Sequence, residues 1–361
     1  MPPLPTYTKQ PWTETYSEII DVRSPSEYGE DRIPSAINLP VLNDAERAQV
    51  GTIYKQDSPF TARKIGAALV ANNISHHLTQ HFAAKGKDYH PLVYCWRGGQ
   101  RSNSIASVLT QIGWRVTVVE GGYKTYRAYV REQLEKLPEK FTYKILCGLT
   151  GSGKTHILQR MRLNPDAQVL DLEALAKHRG SLLGEEWDGQ ASPQPSQKYF
   201  ESLLLQQLQS FNPNQTVWVE SESNKIGQVY LPQSLWEKMK QASCVEIQIP
   251  LAARVQYLLQ EYPHMTTHPY ILKAKLEKLK SRYGKEKLRE WYRLIDAEKW
   301  ETFVENMLDF HYDPTYRKSM QRDFIKVEQT LFIPDLSNSS IDNLLNILLP
   351  ECVSSKSCMF E

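Results

Sequence analysis

The sequence predicts an α/β protein: two parallel-sheet domains in succession, then a helical, basic C-terminal region. Three observations predict it. Short apolar runs alternate with amphipathic stretches from residue 18 to residue 137. The alternation starts afresh at residue 143. Beyond about residue 251 the strand-like runs stop and charged helical periodicity takes over. Strand–helix alternation of this kind favours parallel sheets covered by helices on both faces.

Taken in order, residues 18–22 (EIIDV) form a buried strand and residues 36–40 (AINLP) a short second one. Residues 65–73 are helical. Residues 91–95 (PLVYC) are an apolar strand ending on a cysteine. In residues 102–113, Ile105, Val108, Leu109 and Ile112 recur at helical spacing. Residues 115–122 (RVTVVEGG) are a strand closed by glycines, and residues 123–137 a helix stopped by Pro138. The second series has strands at 143–147 (YKILC), 168–172 (QVLDL), 216–220 (TVWVE) and 245–250 (VEIQIP). The expected boundaries are 1–139, 140–250 and 251–361.

Of the 361 residues, 41% are hydrophobic, enough for sizeable cores, and the net charge is only +2, so a polyanion must be met by local patches. Five cysteines, at 95, 147, 244, 352 and 358, show neither metal spacing nor a disulfide framework, which points to a reduced, cytoplasmic protein. No run is apolar for long enough to span a bilayer. The C-terminal CMFE is a poor prenylation box because it ends in glutamate.

Two loops carry chemistry. In residues 94–102 (YCWRGGQRS) a strand ends at Cys95 and a helix begins near Ser102. Gly98 and Gly99 allow the intervening amides to turn inward. Converging amides at a helix N-terminus make an anion cradle, and the same field favours thiolate over thiol. Arg97 and Arg101 add positive charge, and Cys95 to Arg101 has the Cys-x5-Arg spacing used for tetrahedral oxyanions. Residues 148–155 (GLTGSGKT) satisfy the phosphate-binding pattern G-x-x-x-x-G-K-[ST] between a strand and a helix, the context that gives this motif its meaning. The backbone of Gly148, Gly151, Ser152 and Gly153 wraps phosphates. Lys154 supplies a point charge, and Thr155 can hold a magnesium ion. Asp171 and Glu220 each stand at a strand end and are candidate acids or metal ligands.

Residues 19–40 and 118–127 resemble the opening and closing signatures of rhodanese domains, which carry sulfur or selenium on the loop cysteine. Residues 42–56 (LNDAERAQVGTIYKQ), 95–102, 171–184, 193–201, 220–227 and 311–317 (HYDPTYR) together resemble the tRNA 2-selenouridine synthase family. That resemblance implies a rhodanese-like domain followed by a P-loop domain. It implies a transferase acting on tRNA that bears 2-thiouridine at the wobble position. A geranyl group from geranyl diphosphate is placed on the sulfur, then S-geranyl is replaced by selenium from selenophosphate, carried on Cys95. An enzyme that supplies selenophosphate is the expected partner. The diphosphate is expected on the P-loop from its chemistry. Asp21 and Arg23 look like a structural pair. The sequence departs from the family pattern at Ser221 and Asn224, where an acid and an arginine are expected, which leaves Glu220 and Glu222 as the candidate acids or metal ligands of that signature, and at Leu183, where an aromatic is common.

Residues 273–293 hold nine Lys/Arg against three Glu, with Tyr283, Trp291 and Tyr292 interleaved, a pattern suited to phosphates and stacked bases. Lys124, Arg127 and Arg131 share a helix face and extend the basic patch. His178, Arg179 and Ser181 are candidates for facing the substrate. Two rivals stand beside this reading. One is a Cys-x5-Arg phosphatase, arsenate-reductase-like or sulfurtransferase enzyme fused to a P-loop kinase. The other is an RNA-binding P-loop NTPase with an inactive rhodanese scaffold.

Overall fold

Residues 4–179, 194–324 and 326–349 are described by the structure, a computed structural model. Ser181 and Leu183, and the cysteines at 352 and 358, lie outside the described residues. The chain divides into two compact units: residues 1–134 with 195–206, and residues 135–194 with 207–361.

In the first unit, β1 (Thr6–Thr8), β2 (Glu18–Asp21), β3 (Ile37–Asn38), β4 (Pro91–Tyr94) and β5 (Thr117–Val119) form a parallel sheet in the order β1-β5-β4-β2-β3. The edge strand β1 was not expected, because its three residues show no apolar run. The family-like insert forms the helix Asp44–Gln56, started by a capping box of Asn43 and Glu46. The next helix is far longer than the nine residues its apolar pattern marks. It runs Pro59–Gln80 because Ser58 caps it and Pro59 takes the first helical position. Ile20, Val93, Ile105, Leu109 and Val118 are fully buried in the core, and each contributes about 1.5–3 kcal/mol.

Residues 195–206 were expected with the P-loop domain but pack in the first unit. There Ser202 Oγ donates to the buried Asp31 at 2.8 Å, Arg32 donates to Tyr199 at 2.8 Å, and Glu201 pairs with Arg127. The contacts of Ser202 and Tyr199 join residues 171 and 167 positions apart and that of Glu201 residues 74 apart, and no local pattern announces them.

In the second unit, β6 (Tyr143–Cys147), β7 (Gln168–Leu170), β8 (Val217–Glu220), β11 (Ser243–Gln248) and β12 (Val327–Phe332) form a second parallel sheet in the order β12-β11-β6-β8-β7. A small antiparallel pair, β9 (Lys225–Ile226) and β10 (Val229–Tyr230), lies outside it. The C-terminal region is therefore not wholly helical. β12 returns to the sheet edge, and its mostly exposed side chains hide it from a search for apolar runs. Helices from Leu251–Glu261 to Trp300–Met307 enclose a core of their own that includes Leu272, Leu288, Trp291 and Phe303.

In each sheet the chain order reverses at one strand, β4 in the first and β6 in the second. The carboxyl end of such a strand opens a crevice between diverging connections, where ligands bind in α/β folds. Both chemical loops stand there.

Candidate functional site

In the first unit, Cys95 follows β4 and is 3% exposed. Its Sγ lies 3.3 Å from Ser102 Oγ, which donates to the Gly99 carbonyl at 3.1 Å. With that proton committed, the thiol is the donor between the two groups. A thiolate can instead recruit the hydroxyl by a simple rotation. Ser102 was not singled out in the sequence, although it stands inside the loop motif. The helix Gln100–Ile112 begins at once, and the amides of its first turn have no acceptor of their own within the helix.

Gly98 takes positive φ, +63°, whereas Gly99 serves as the helix N-cap at φ −101°, so only one of the two glycines supplies the turn. A second glycine pair, Gly121–Gly122, supports the loop from below. Tyr123 N–H donates to the Cys95 carbonyl at 2.8 Å, and Lys124 N–H to that of Trp96 at 3.2 Å. Gly122 sits at φ +62°, and a Cβ there would lie 2.2 Å from the Cys95 carbonyl oxygen. We expect Gly122→Ala to destabilise this unit by about 1–3 kcal/mol, read as a lowered thermal midpoint, and to perturb the Cys95 loop before any other part.

Arg101 departs from expectation. Its guanidinium bonds Glu27 at 2.6 and 3.3 Å, so it does not point its charge at the sulfur. Arg97 is exposed beside the loop. Asp21 and Arg23 form the expected structural pair, fully buried, with Arg23 also donating to the Asp31 carbonyl at 2.6 Å. Arg127 is held by Glu201, while Lys124 remains exposed.

In the second unit, the loop from Gly148 to Thr155 joins β6 to the helix Lys154–Met161. Gly148, Gly151 and Gly153 all take positive φ, and Ser152 is buried within the turn. Lys154 Nζ donates to the Gly148 carbonyl at 2.9 Å and lies 3.6 Å from Glu220. Thr155 Oγ1 lies 2.8 Å from Glu220 and 3.1 Å from Glu173. Glu173, Glu220 and Glu222 bring one carboxylate oxygen each to within 4.8 Å of one another.

Burial first, then the neighbouring Glu220, pushes Glu222 up to about 7. Glu173 rises to about 10 for the same reasons, with Glu222 adding to the repulsion. Burial pulls Lys154 down, but Tyr316 and the carboxylates outweigh it and its pKa is raised. Three crowded carboxylates and a hydroxyl form an all-oxygen donor set, which fits a hard divalent cation such as magnesium.

Glu173 was missed in the sequence and Asp171 chosen in its place. Asp171 is a helix cap, its carboxylate accepting from Ala174 N–H at 2.9 Å. The two acids are separated by one residue and both line the cavity over the loop, but of the two only Glu173 bonds Thr155. Ser221, where an acid was expected, instead lies 2.6 Å from the Tyr316 hydroxyl. That hydroxyl accepts from Gly148 N–H at 3.0 Å, and the ring centroid lies 5.1 Å from Lys154 Nζ.

The helical region also braces the loop. Arg254 donates to the Thr150 carbonyl at 2.8 Å and holds Asp313 through two bonds of 3.0 and 2.5 Å, with both residues buried. Arg254→Met strands a buried carboxylate. We expect a loss of about 3–5 kcal/mol and a melting point lower by roughly 10 °C. Adding Asp313→Asn should recover part of it.

A cavity of about 830 Å³ opens over the loop, with Lys154, Thr155, Glu173, Glu220, His178 and Arg179 among its walls. Arg179 lies 3.5 Å from Glu261 on the rim. Tyr283 and Trp291 are not placed for stacking. Trp291 is fully buried, and the Tyr283 hydroxyl donates to the Phe310 carbonyl at 3.0 Å. Both pack the helical core, because their spacing coincides with its apolar stripe. Lys278, Lys285, Arg289 and Arg293 stay exposed, so cations rather than rings face outward there.

A cysteine loop at one switch point and a phosphate-binding loop at another define a rhodanese-like domain joined to a P-loop domain. Residues 5–129 match the rhodanese-like domain family, and residues 141–335 match the tRNA 2-selenouridine synthase AAA domain. The chain belongs to the tRNA 2-selenouridine synthase family. It is 37% identical to a tRNA 2-selenouridine synthase of Nitrosomonas europaea over 252 residues, covering 68% of this chain and 63% of that protein, just under two thirds of its length. It is 32% identical to the one from Bdellovibrio bacteriovorus, covering 86% and 90% of the two chains. The Sulfurovum protein of the same description is 30% identical over the same shares. Among the described residues no helix is long and apolar enough to cross a membrane.

Proposed function

We propose that this protein converts 2-thiouridine at the wobble position of tRNA into 2-selenouridine in two steps, in the cytoplasm. In the first, the 2-thio sulfur attacks C1 of geranyl diphosphate, the C1–O bond breaks and diphosphate departs. In the second, selenium from selenophosphate replaces the S-geranyl group, which leaves as a thiol.

The observation that carries the reading is the P-loop with Lys154 set among Glu173, Glu220 and Glu222 in a chain of this family. The loop amides and Lys154 bind the diphosphate, and the lysine stabilises the charge that grows on it as C1–O breaks. Thr155 and the three glutamates would hold magnesium, which would neutralise more of that charge. Cys95 serves the selenium step: its thiolate takes the phosphoryl group as the P–Se bond breaks, the freed selenide attacks C2 of the base as geranyl thiol leaves, and water then releases phosphate and restores the thiol. The amides of the following helix and the Ser102 hydroxyl receive the phosphate-like head of selenophosphate, with Arg97 nearby; an enzyme making selenophosphate supplies it. Exposed cations of residues 273–293 and Lys124 meet tRNA phosphates.

The phosphatase rival is disfavoured by Arg101. Its guanidinium is committed to Glu27 rather than offered to an oxyanion. The test is mass spectrometry of 2-thiouridine tRNA after incubation with geranyl diphosphate alone, and then with selenophosphate added. The expected products are S-geranylated tRNA, then 2-selenouridine. An unmodified tRNA in both runs overturns the proposal.

A further inference from the structure

A second pocket, of about 50 Å³, shares Thr150, Leu258, Tyr262 and Tyr312 with the cavity over the P-loop. Beyond that common wall it is lined mainly by Leu259, Met265, Trp300, Phe303, Val304 and Met307, and by Thr266, whose hydroxyl donates to the Pro263 carbonyl at 2.8 Å. It lies among the helices Leu251–Glu261, Pro263–Thr267 and Trp300–Met307. Hydrocarbon, thioether and ring surfaces predominate. A nucleotide base, with its ring of donors and acceptors, would lose hydrogen bonds there. An aliphatic chain loses none.

We propose that this pocket receives the far end of an isoprenoid chain whose diphosphate rests on the P-loop, and that its depth sets the chain length accepted. The inference rests on the reading of the P-loop as a diphosphate site. A water-sized group occupies about 10–15 Å³ of such space, so 50 Å³ takes about four carbons. Four carbons are the branched terminus of an isoprenoid. The remaining carbons of a ten-carbon chain lie along Leu258 and Tyr262, on the wall common to both cavities. A five-carbon chain leaves the pocket empty. A fifteen-carbon chain overfills it, and close-packed walls resist the extra volume. Met265 and Met307 are the adjustable parts of that wall.

The experiment offers the full chain and 2-thiouridine tRNA an equimolar mixture of dimethylallyl, geranyl and farnesyl diphosphates. The ratio of the three S-alkylated products is read by mass spectrometry. Wild type is expected to favour geranyl. Filling the pocket with Met265→Phe or Val304→Phe should move the ratio at least about tenfold toward dimethylallyl, since a lost or blocked methylene in an apolar pocket is worth 10-fold or more. Enlarging it with Phe303→Ala should move the ratio toward farnesyl. The ratio is internal to each variant, so a smaller folded fraction cancels. If transfer is robust and neither kind of variant shifts the ratio, the pocket is wrongly assigned while the P-loop reading stands. If wild type transfers no isoprenoid at all, both fall.

Discussion

Lys154→Ala is expected to lower geranyl transfer by about 10²–10³-fold, the usual cost of removing one preorganised group from a developing charge. The ammonium suits the task proposed for it. It is 9% exposed, and its pKa is raised by Tyr316 and the carboxylates despite burial, so it stays charged across the working range. Two of its contacts, the Gly148 carbonyl and Glu220, lie at the loop itself. Those contacts hold it at the loop, and a diphosphate bound as proposed would draw it off them. Arginine at this position should not rescue, because a planar fork cannot occupy the point-charge site in a turn this tight. The measurement is the initial rate of S-geranylation under single-turnover conditions. A rate within a few-fold of wild type would mean that diphosphate departs elsewhere. Selenium incorporation into tRNA already geranylated should be spared.

Cys95→Ala should give the opposite pattern: geranylation at the wild-type rate and no selenium in the tRNA. Cys95→Ser, which preserves the shape beside Ser102, should behave alike. The sulfur lies under 4 Å from a hydroxyl and next to a helix start, in a loop pinned by Tyr123 and Lys124 amides. Cys95 is the one residue of that loop that offers a thiolate nucleophile. The assay is mass spectrometry of the nucleosides, with selenophosphate as donor. Equal loss of both products would show that the two loops do not divide the labour.

The parts legible in the sequence were those whose chemistry is local. A strand, a glycine-rich turn and a helix start are contiguous in both loops, so Cys95, Gly98, Lys154 and Thr155 stood in view, as did the paired Asp21 and Arg23, two residues apart. The helix of the family insert was legible as a resemblance, and its capping residues explain why it forms. What failed failed for one reason. Arg101 finds Glu27, 74 residues away, and Arg254 finds Asp313, 59 residues away. Asp171 and Glu173 differ only in which side of a helix start they occupy. Tyr283 and Trp291 stand among cations as a stacking platform would, but packing places both against the core of the helical region.

Local chemistry alone was enough to declare two α/β units and the strand–turn–helix loops at Cys95 and Lys154, because neighbouring residues share one backbone turn. Packing decided the rest. It selected Glu173 as the third carboxylate, turned Arg101 toward Glu27, carried residues 195–206 back to the first unit and opened an apolar recess beside Thr150. Each of these is a partnership across the folded chain, where desolvation and close contact, rather than spacing, determine which side chains meet.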